Sequence, residues 1–233
     1  MDAVRVPEPA AGAARAPGRV WYAAYGSNVQ RERLACYVEG GRPAGAARTY
    51  PGCRDRRMPA ESAAVELAGE MYLATRSPVW GGGCAFYDPG AGGRVLARAH
   101  LLAAGQFADI AAQEMLRPPG DDLDLTEVLA HGRAVLGEGR YETLVCAGWL
   151  DGAPVLTFTA PWRMRDVAWT VPSAAYVRCV GTGLLAAGAW DAATVASYVA
   201  ARPGAAGHWS PRAVRELIEG AGAAGVEGPR RIV

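Results

Sequence analysis

The sequence predicts a mixed α+β domain, and three observations carry that prediction. β-type runs crowd the first two thirds of the chain. Helical runs fill the last third. The two kinds do not alternate as β-α-β units would, so a doubly wound parallel sheet is disfavoured.

The elements follow in order. Arg19-Val-Trp-Tyr-Ala-Ala-Tyr25 is rich in aromatic and β-branched residues and reads as a strand, closed by the turn residues Gly26-Ser27-Asn28. A helix is expected from Gln30 to Val38, stopped by Gly40-Gly41-Arg42-Pro43. Ala64–Thr75, Val79–Tyr87 and Arg94–Ala103 read as three strands separated by Pro or Gly. Gly81, Gly82 and Gly83 inside the second mark a bulge or a close backbone approach. Helices follow at Gln106–Leu116, stopped by Pro118-Pro119-Gly120, and at Asp122–Leu136. Tyr141–Leu150 and Pro154–Ala160 form a hairpin around Asp151-Gly152. The last three helices are Ser173–Leu185, Asp191–Ala201 and Pro211–Glu219, the third with Ser210 as N-cap and proline at its first position. The domain is thus placed at residues 19–219. Residues 1–18 and 220–233, Pro/Ala/Gly-rich and without periodicity, read as flexible tails.

Composition removes several classes of function. The chain has 233 residues, 51% of them hydrophobic, which suits one domain with a sizeable core. A net charge of +1 gives no electrostatic case for nucleic acid or an anionic membrane surface. No apolar run is long enough to cross a bilayer, and no signal pattern opens the chain, so a cytoplasmic location is expected. Cys36, Cys53, Cys84, Cys146 and Cys179 form no CxxC pair and read as buried free thiols. His100, His131 and His208 are far apart and none lies in an HxxxH or HxH pattern, so a zinc hydrolase or zinc deacetylase is disfavoured. There is no lysine, so no lysine base, nucleophile or Schiff base is available, and acid/base work falls to a carboxylate.

Two places could carry chemistry. At Tyr25-Gly26-Ser27-Asn28, small residues allow close backbone approach, and the helix start behind them exposes N–H groups that favour an anion or oxyanion. The same tetrapeptide is also ordinary turn chemistry. On the helix Gln106–Leu116, Phe107, Ile110 and Ala111 define an apolar face that Glu114 continues, while Gln106, Asp109 and Gln113 form the neighbouring stripe. A lone carboxylate on such a face is raised toward neutrality by burial, as a general base requires. The alternative is an edge position paired with Arg117 or another arginine. Other features read as structural. Arg54, Asp55, Arg56 and Arg57 form a solvated loop or, alternatively, a site for an acidic substrate. Asp121, Asp122, Asp124 and Glu127 complement a helix dipole. Trp149, Trp162, Trp169, Trp190 and Trp209 are scattered packing residues, and a nucleophilic Cys84 lacks a histidine nearby in sequence.

Tyr22-Ala-Ala-Tyr-Gly-Ser-Asn28, the later Gln106–Glu114 segment and Ser173-Ala-Ala-Tyr-Val-Arg-Cys179 together resemble the γ-glutamylcyclotransferase-like family, over about Trp21 to Ala201. Its bacterial members with a Tyr-Gly-Ser-Asn loop are the nearest pattern. The resemblance implies a mixed β-barrel with flanking helices and no metal or organic cofactor. It implies that Tyr25, Gly26, Ser27 and Asn28 line the substrate pocket, that Glu114 is the acid/base, and that Tyr141 and Tyr176 are pocket tyrosines. The implied reaction is ring closure of a γ-glutamyl amide to 5-oxoproline, on a small-molecule or peptide substrate, in a monomer or homodimer. Two departures are visible: a long Arg117–Arg140 segment, and Phe158 where some members carry tyrosine. The leaving group is expected to be read by the loops Arg42–Met58 and Arg117–Arg140. A non-catalytic binding protein on the same scaffold and a metal-dependent amidase or deacetylase are the competing readings.

Overall fold

Five consecutive residues of β2 (Arg19–Ala24) are buried. A strand with no solvent face belongs inside a sheet rather than at its rim. In the computed structural model, which describes residues 3–5, 17–43 and 48–223, β2 pairs antiparallel with β6 (Arg94–Ala103) and parallel with β9 (Ala153–Thr159). Outward from β6 lie β3 (Ser62–Ala68) and β1 (Val4–Arg5). Outward from β9 lie β8 (Thr143–Leu150) and β7 (Arg133–Val135), giving the order β1-β3-β6-β2-β9-β8-β7. A two-stranded hairpin of β4 (Glu70–Ala74) and β5 (Cys84–Asp88) leans on β9. Thr159 joins them as a strand would: its Oγ1 accepts from the Tyr87 amide at 3.0 Å and donates to the Tyr87 carbonyl at 2.8 Å. The C-terminal end of β2, and the Gly-Ser-Asn turn after it, therefore emerge at the centre of the sheet.

Among the described residues six helices flank the strands: α1 (Arg31–Val38), α2 (Ala104–Glu114), α3 (Thr126–His131), α4 (Ala174–Ala186), α5 (Ala192–Ala200) and α6 (Pro211–Ala223). Ser173, Asp191 and Ser210 accept hydrogen bonds from the amides of Tyr176, Thr194 and Ala213, each supplying a partner for an orphan first-turn donor. α4, α5 and α6 pack on one another, and α4 also packs on the turn Ser27–Val29. Gly183 allows that last contact, because a Cβ there would stand 2.4 Å from Val29 Cγ2. The mixed α+β class with flanking helices is the one expected. Among the described residues, strand pairing runs from β1 at one edge to β7 at the other.

Three expected elements differ. Ala64–Thr75 is two strands, broken at Gly69, whose φ of +119° is a conformation that L side chains rarely adopt. Val79–Tyr87 becomes a strand only at Cys84; before it, Ser77 Oγ accepts from the amides of Val79 and Trp80 and turns the chain. Asp122–Leu136 is a one-and-a-half-turn helix followed by an edge strand, because Gly132 takes a left-handed φ of +74° and ends α3. The expected turn at Asp151-Gly152 has positive φ at both residues, as a tight hairpin requires. Of the expected tails, residues 1–2, 6–16 and 224–233 lie outside the described residues. Among the described residues, Val4–Arg5 pairs with Val65–Glu66 and α6 continues past Glu219. No helix among them is long and apolar enough to cross a membrane.

Candidate active site

A cavity of about 440 Å³ opens where β2, α2, β5 and α4 converge. All seven residues singled out in the sequence line it: Tyr25, Gly26, Ser27, Asn28, Glu114, Tyr141 and Tyr176. They come from four separate segments, and the fold brings them to one place.

Glu114 closes α2 and faces the cavity. Asn28 Nδ2 donates to its Oε1 at 3.1 Å and also reaches the Tyr22 hydroxyl at 3.2 Å. Among the described residues no arginine comes within ion-pair distance of Glu114, and Arg117 pairs with Glu142 instead. Burial raises the Glu114 carboxyl above its ordinary range, opposed in turn by Tyr37, Arg33, Asn28 and Arg48.

The opposite wall is built of tyrosines around the Ala85 peptide. Ala85 N–H donates to the Tyr176 hydroxyl at 3.1 Å, and the Tyr141 hydroxyl donates to Ala85 O at 3.2 Å. Ser173, as N-cap, fixes the first turn of α4 from which Tyr176 projects. Gly26 packs closely on this wall: a Cβ there would lie 3.1 Å from the Tyr176 oxygen, which would have to shift slightly. The Tyr25 hydroxyl is spent on Phe158 O at 2.8 Å, so Tyr25 serves as a fixed wall. Phe158 stacks on Tyr22 with ring centroids 5.2 Å apart. The phenols of Tyr25, Tyr141 and Tyr176 are held well above their ordinary range, chiefly by burial, and stay neutral. The mouth carries an apolar rim that includes Val79, Trp80, Met115 and Leu116, the last 75% exposed.

Sequence reasoning missed a group of residues here. Tyr22, Arg33, Tyr37, Arg48, Tyr50 and Trp80 also line the cavity. A signal existed for two of them: Arg33 and Tyr37, four apart, share the buried face of α1 with Leu34 and Val38. Both loops expected to read the leaving group reach the cavity, the first through Arg48 and Tyr50, the second through Gly139 and Arg140. The Arg54–Arg57 cluster does not. Arg54 is held by Asp109 at 3.0 Å and Asp122 at 2.6 Å, and Arg57 by Asp55 at 2.6 Å.

The five cysteines are free. Burial pushes Cys53 and Cys179 up to about 12 and raises Cys84, which lines the cavity, so these thiols are protonated at neutral pH. Among the described residues no three His, Cys, Asp or Glu side chains converge as metal ligands.

No family model matches the chain. It is 27% identical over 200 residues to histone deacetylase 5 of Arabidopsis thaliana, a match covering 77% of this chain. The chain spans 30% of that protein's length. Among solved structures it is similar to the uncharacterized human protein loc79017 (TM-score 0.48, 16% identity) and to a gamma-glutamyl cyclotransferase (TM-score 0.46, 14% identity). Each likeness covers 87% of this chain and 99% of the other.

Proposed function

We propose that the protein is a γ-glutamylcyclotransferase-like enzyme that cleaves a γ-glutamyl amide by closing its glutamyl half into 5-oxoproline. The observation that carries the reading is the convergence of Glu114, unpaired with any arginine, and the Tyr25–Asn28 loop on one cavity.

The chemistry is an intramolecular aminolysis. The substrate's α-ammonium must lose a proton before it can attack, and Glu114 takes it. The free amine attacks the γ-carbonyl carbon and a new C–N bond closes the five-membered ring. The amide C–N bond then breaks as the leaving nitrogen collects the proton from Glu114, and the ring nitrogen gives up its second proton, through the regenerated carboxylate, to the departing amine. Amides of Gly26–Asn28 hold the negative charge of the tetrahedral oxygen or of a substrate carboxylate. The buried tyrosine wall holds the folded-over substrate in its reactive geometry, which supplies a large part of the rate. No enzyme nucleophile is needed, which accords with the protonated state of Cys84.

The test is to incubate the protein with γ-glutamyl dipeptides and γ-glutamylamines and assay for 5-oxoproline. Glu114→Gln keeps the shape and the Asn28 contact but cannot take a proton. Turnover should fall by about 10²–10⁴-fold, the usual contribution of a positioned general base. Wild-type turnover in this variant sinks the assignment of Glu114. Ligand binding without any product sinks the enzyme reading and leaves a binding protein on the same scaffold.

A further inference from the structure

Arg33 is a charge in an unusual position. It lines the cavity yet is only 6% exposed. It donates to the Tyr50 hydroxyl through Nη2, while Nε and Nη1 have no hydrogen-bond partner among the described residues. A buried guanidinium that touches no carboxylate is costly even with the Glu114 charge acting on it from across the cavity, and such a group calls for an explanation. A second guanidinium stands beside it. Arg33 Cζ lies 4.6 Å and Arg48 Cζ 4.9 Å from the centroid of the same Tyr50 ring. Arg48 also lines the cavity and donates to Gln113 O at 3.2 Å. Neither arginine forms an ion pair among the described residues. Two like charges pinned against one ring repel each other. The Tyr50 ring and their hydrogen bonds to the Tyr50 hydroxyl and Gln113 O hold them in place, so an anion entering the cavity meets a preorganised partner.

We infer that Arg33 and Arg48, held by Tyr50, form a subsite of the cavity that binds a carboxylate of the substrate. The inference deepens the γ-glutamyl reading and rests on it for the substrate's identity. It makes the cavity bipolar: Glu114 receives an ammonium, and the arginine pair receives an anion. A γ-glutamyl substrate offers two sources of that anion. One is the α-carboxylate, beside the attacking amine. The other is the carboxylate of a leaving amino acid, which a γ-glutamylamine lacks.

The experiment measures binding of two carboxylate/amide pairs to the full chain by calorimetry. 5-Oxoproline against 5-oxoprolinamide probes the α-carboxylate. N-acetylglycine against N-acetylglycinamide probes a leaving-group carboxylate. In one pair the wild-type protein should prefer the acid by about tenfold or more, the size of a charge-assisted hydrogen bond. Arg33→Met should erase that preference and Arg33→Lys should keep part of it. Arg48→Met, at a less buried position, should weaken it and gives a second reading should Arg33→Met fail to fold. Equal binding of acid and amide in both pairs overturns the inference, as does a preference that survives both Met variants. The two proposals fail separately: carboxylate preference without 5-oxoproline formation removes the reaction and leaves the subsite.

Discussion

α2 carries two acidic side chains whose surroundings could hardly differ more. Asp109 sits in mid-helix with its side chain 1% exposed, and its oxygens accept from the backbone and side chain of Arg54 at 2.8 and 3.0 Å. Glu114, five residues on, ends the helix over a cavity, with a hydrogen bond from Asn28, Tyr37 as a further polar neighbour and no ion pair among the described residues. The first arrangement binds a loop to the helix. The same stripe does so again through Gln106 Nε2, which donates to the carbonyls of Asp55 and Arg57, and it ties α1 to α2 through Gln113 Nε2, which donates to Tyr37 O. The second leaves a carboxylate with acceptor capacity to spare and a raised proton affinity. Burial alone therefore does not single out a candidate acid; burial without an ion pair, beside a cavity, does.

The largest expected effects break this contrast directly. Glu114→Gln should cost turnover by the margin given above while the protein stays folded. Asp109→Asn should do the reverse. It removes one charge from the hydrogen-bonded pair with Arg54 and should lower stability by about 1.5–3 kcal/mol, the range for hydrogen bonds to charged groups. At roughly 2–4 °C per kcal/mol for a chain of this size, the melting temperature should drop visibly. Turnover below that melting temperature should stay within a few-fold of wild type. If Asp109→Asn abolished turnover in a stably folded protein, the division of labour along α2 would be wrong.

A third group sharpens the comparison from outside the cavity. His100, on β6, is 0% exposed, and neither ring nitrogen has a hydrogen-bond partner among the described residues. Burial, with Arg98 and Arg31 adding to it and the Asn28 backbone opposing it, lowers its pKa to about 3. The unfolded chain would protonate near the ordinary histidine value of about 6.5. The folded state therefore binds fewer protons below that point. Stability is unaffected above pH 6.5 and is lost as pH falls, by about 1.4 kcal/mol per unit at most. His100→Leu should flatten the wild-type decline between pH 6.5 and 5 in denaturant titrations. Parallel declines for the two proteins would show that His100 acquires a partner in solution. Here burial produces a shifted group that does not line the cavity holding Glu114.

How far the sequence disclosed these environments depends on what each signal measures. Tyr25–Asn28 and Glu114 were legible because a turn of small residues and a carboxylate on an apolar stripe are local patterns. The segments they belong to then met at one cavity. Arg33 and Arg48 were not singled out. One lies on a short helix whose apolar face is only Leu34, Tyr37 and Val38, and the other lies in a loop without periodicity. Their common partner, Tyr50, is a fact of tertiary packing. The same limit explains the overextended strands and helix. Hydrophobic patterning continues through Gly69 and Gly132, and only the backbone angle at those glycines ends the elements there. It also explains why Asp109 and Gln113 read as a polar stripe although both are buried, since their partners come from loop residues 48–57 and from Tyr37 O.

The smallest expected effect separates the two acids of α2 by sign. The folded state raises the proton affinity of Glu114, so it binds more protons than the unfolded chain between the ordinary carboxylate range and the raised value. The stability from that excess is fully present below a pH of about 4.5 and is lost as pH rises through the folded pKa. At neutral pH an ionised Glu114 thus opposes folding. Glu114→Gln should make the protein more stable than wild type at pH 8, and the advantage should shrink toward zero near pH 4, where the wild-type side chain is itself a neutral acid. Denaturant midpoints of both proteins at the two pH values check this. Asp109→Asn should show no such gain at any pH, because its charge has a partner. A Glu114→Gln advantage that did not vary with pH would mean that shape, and not charge, sets the difference. Glu114 would then be a second structural carboxylate like Asp109. A gain at pH 8 joined to a loss of turnover is what a carboxylate retained for its chemistry, at the expense of folding, should produce.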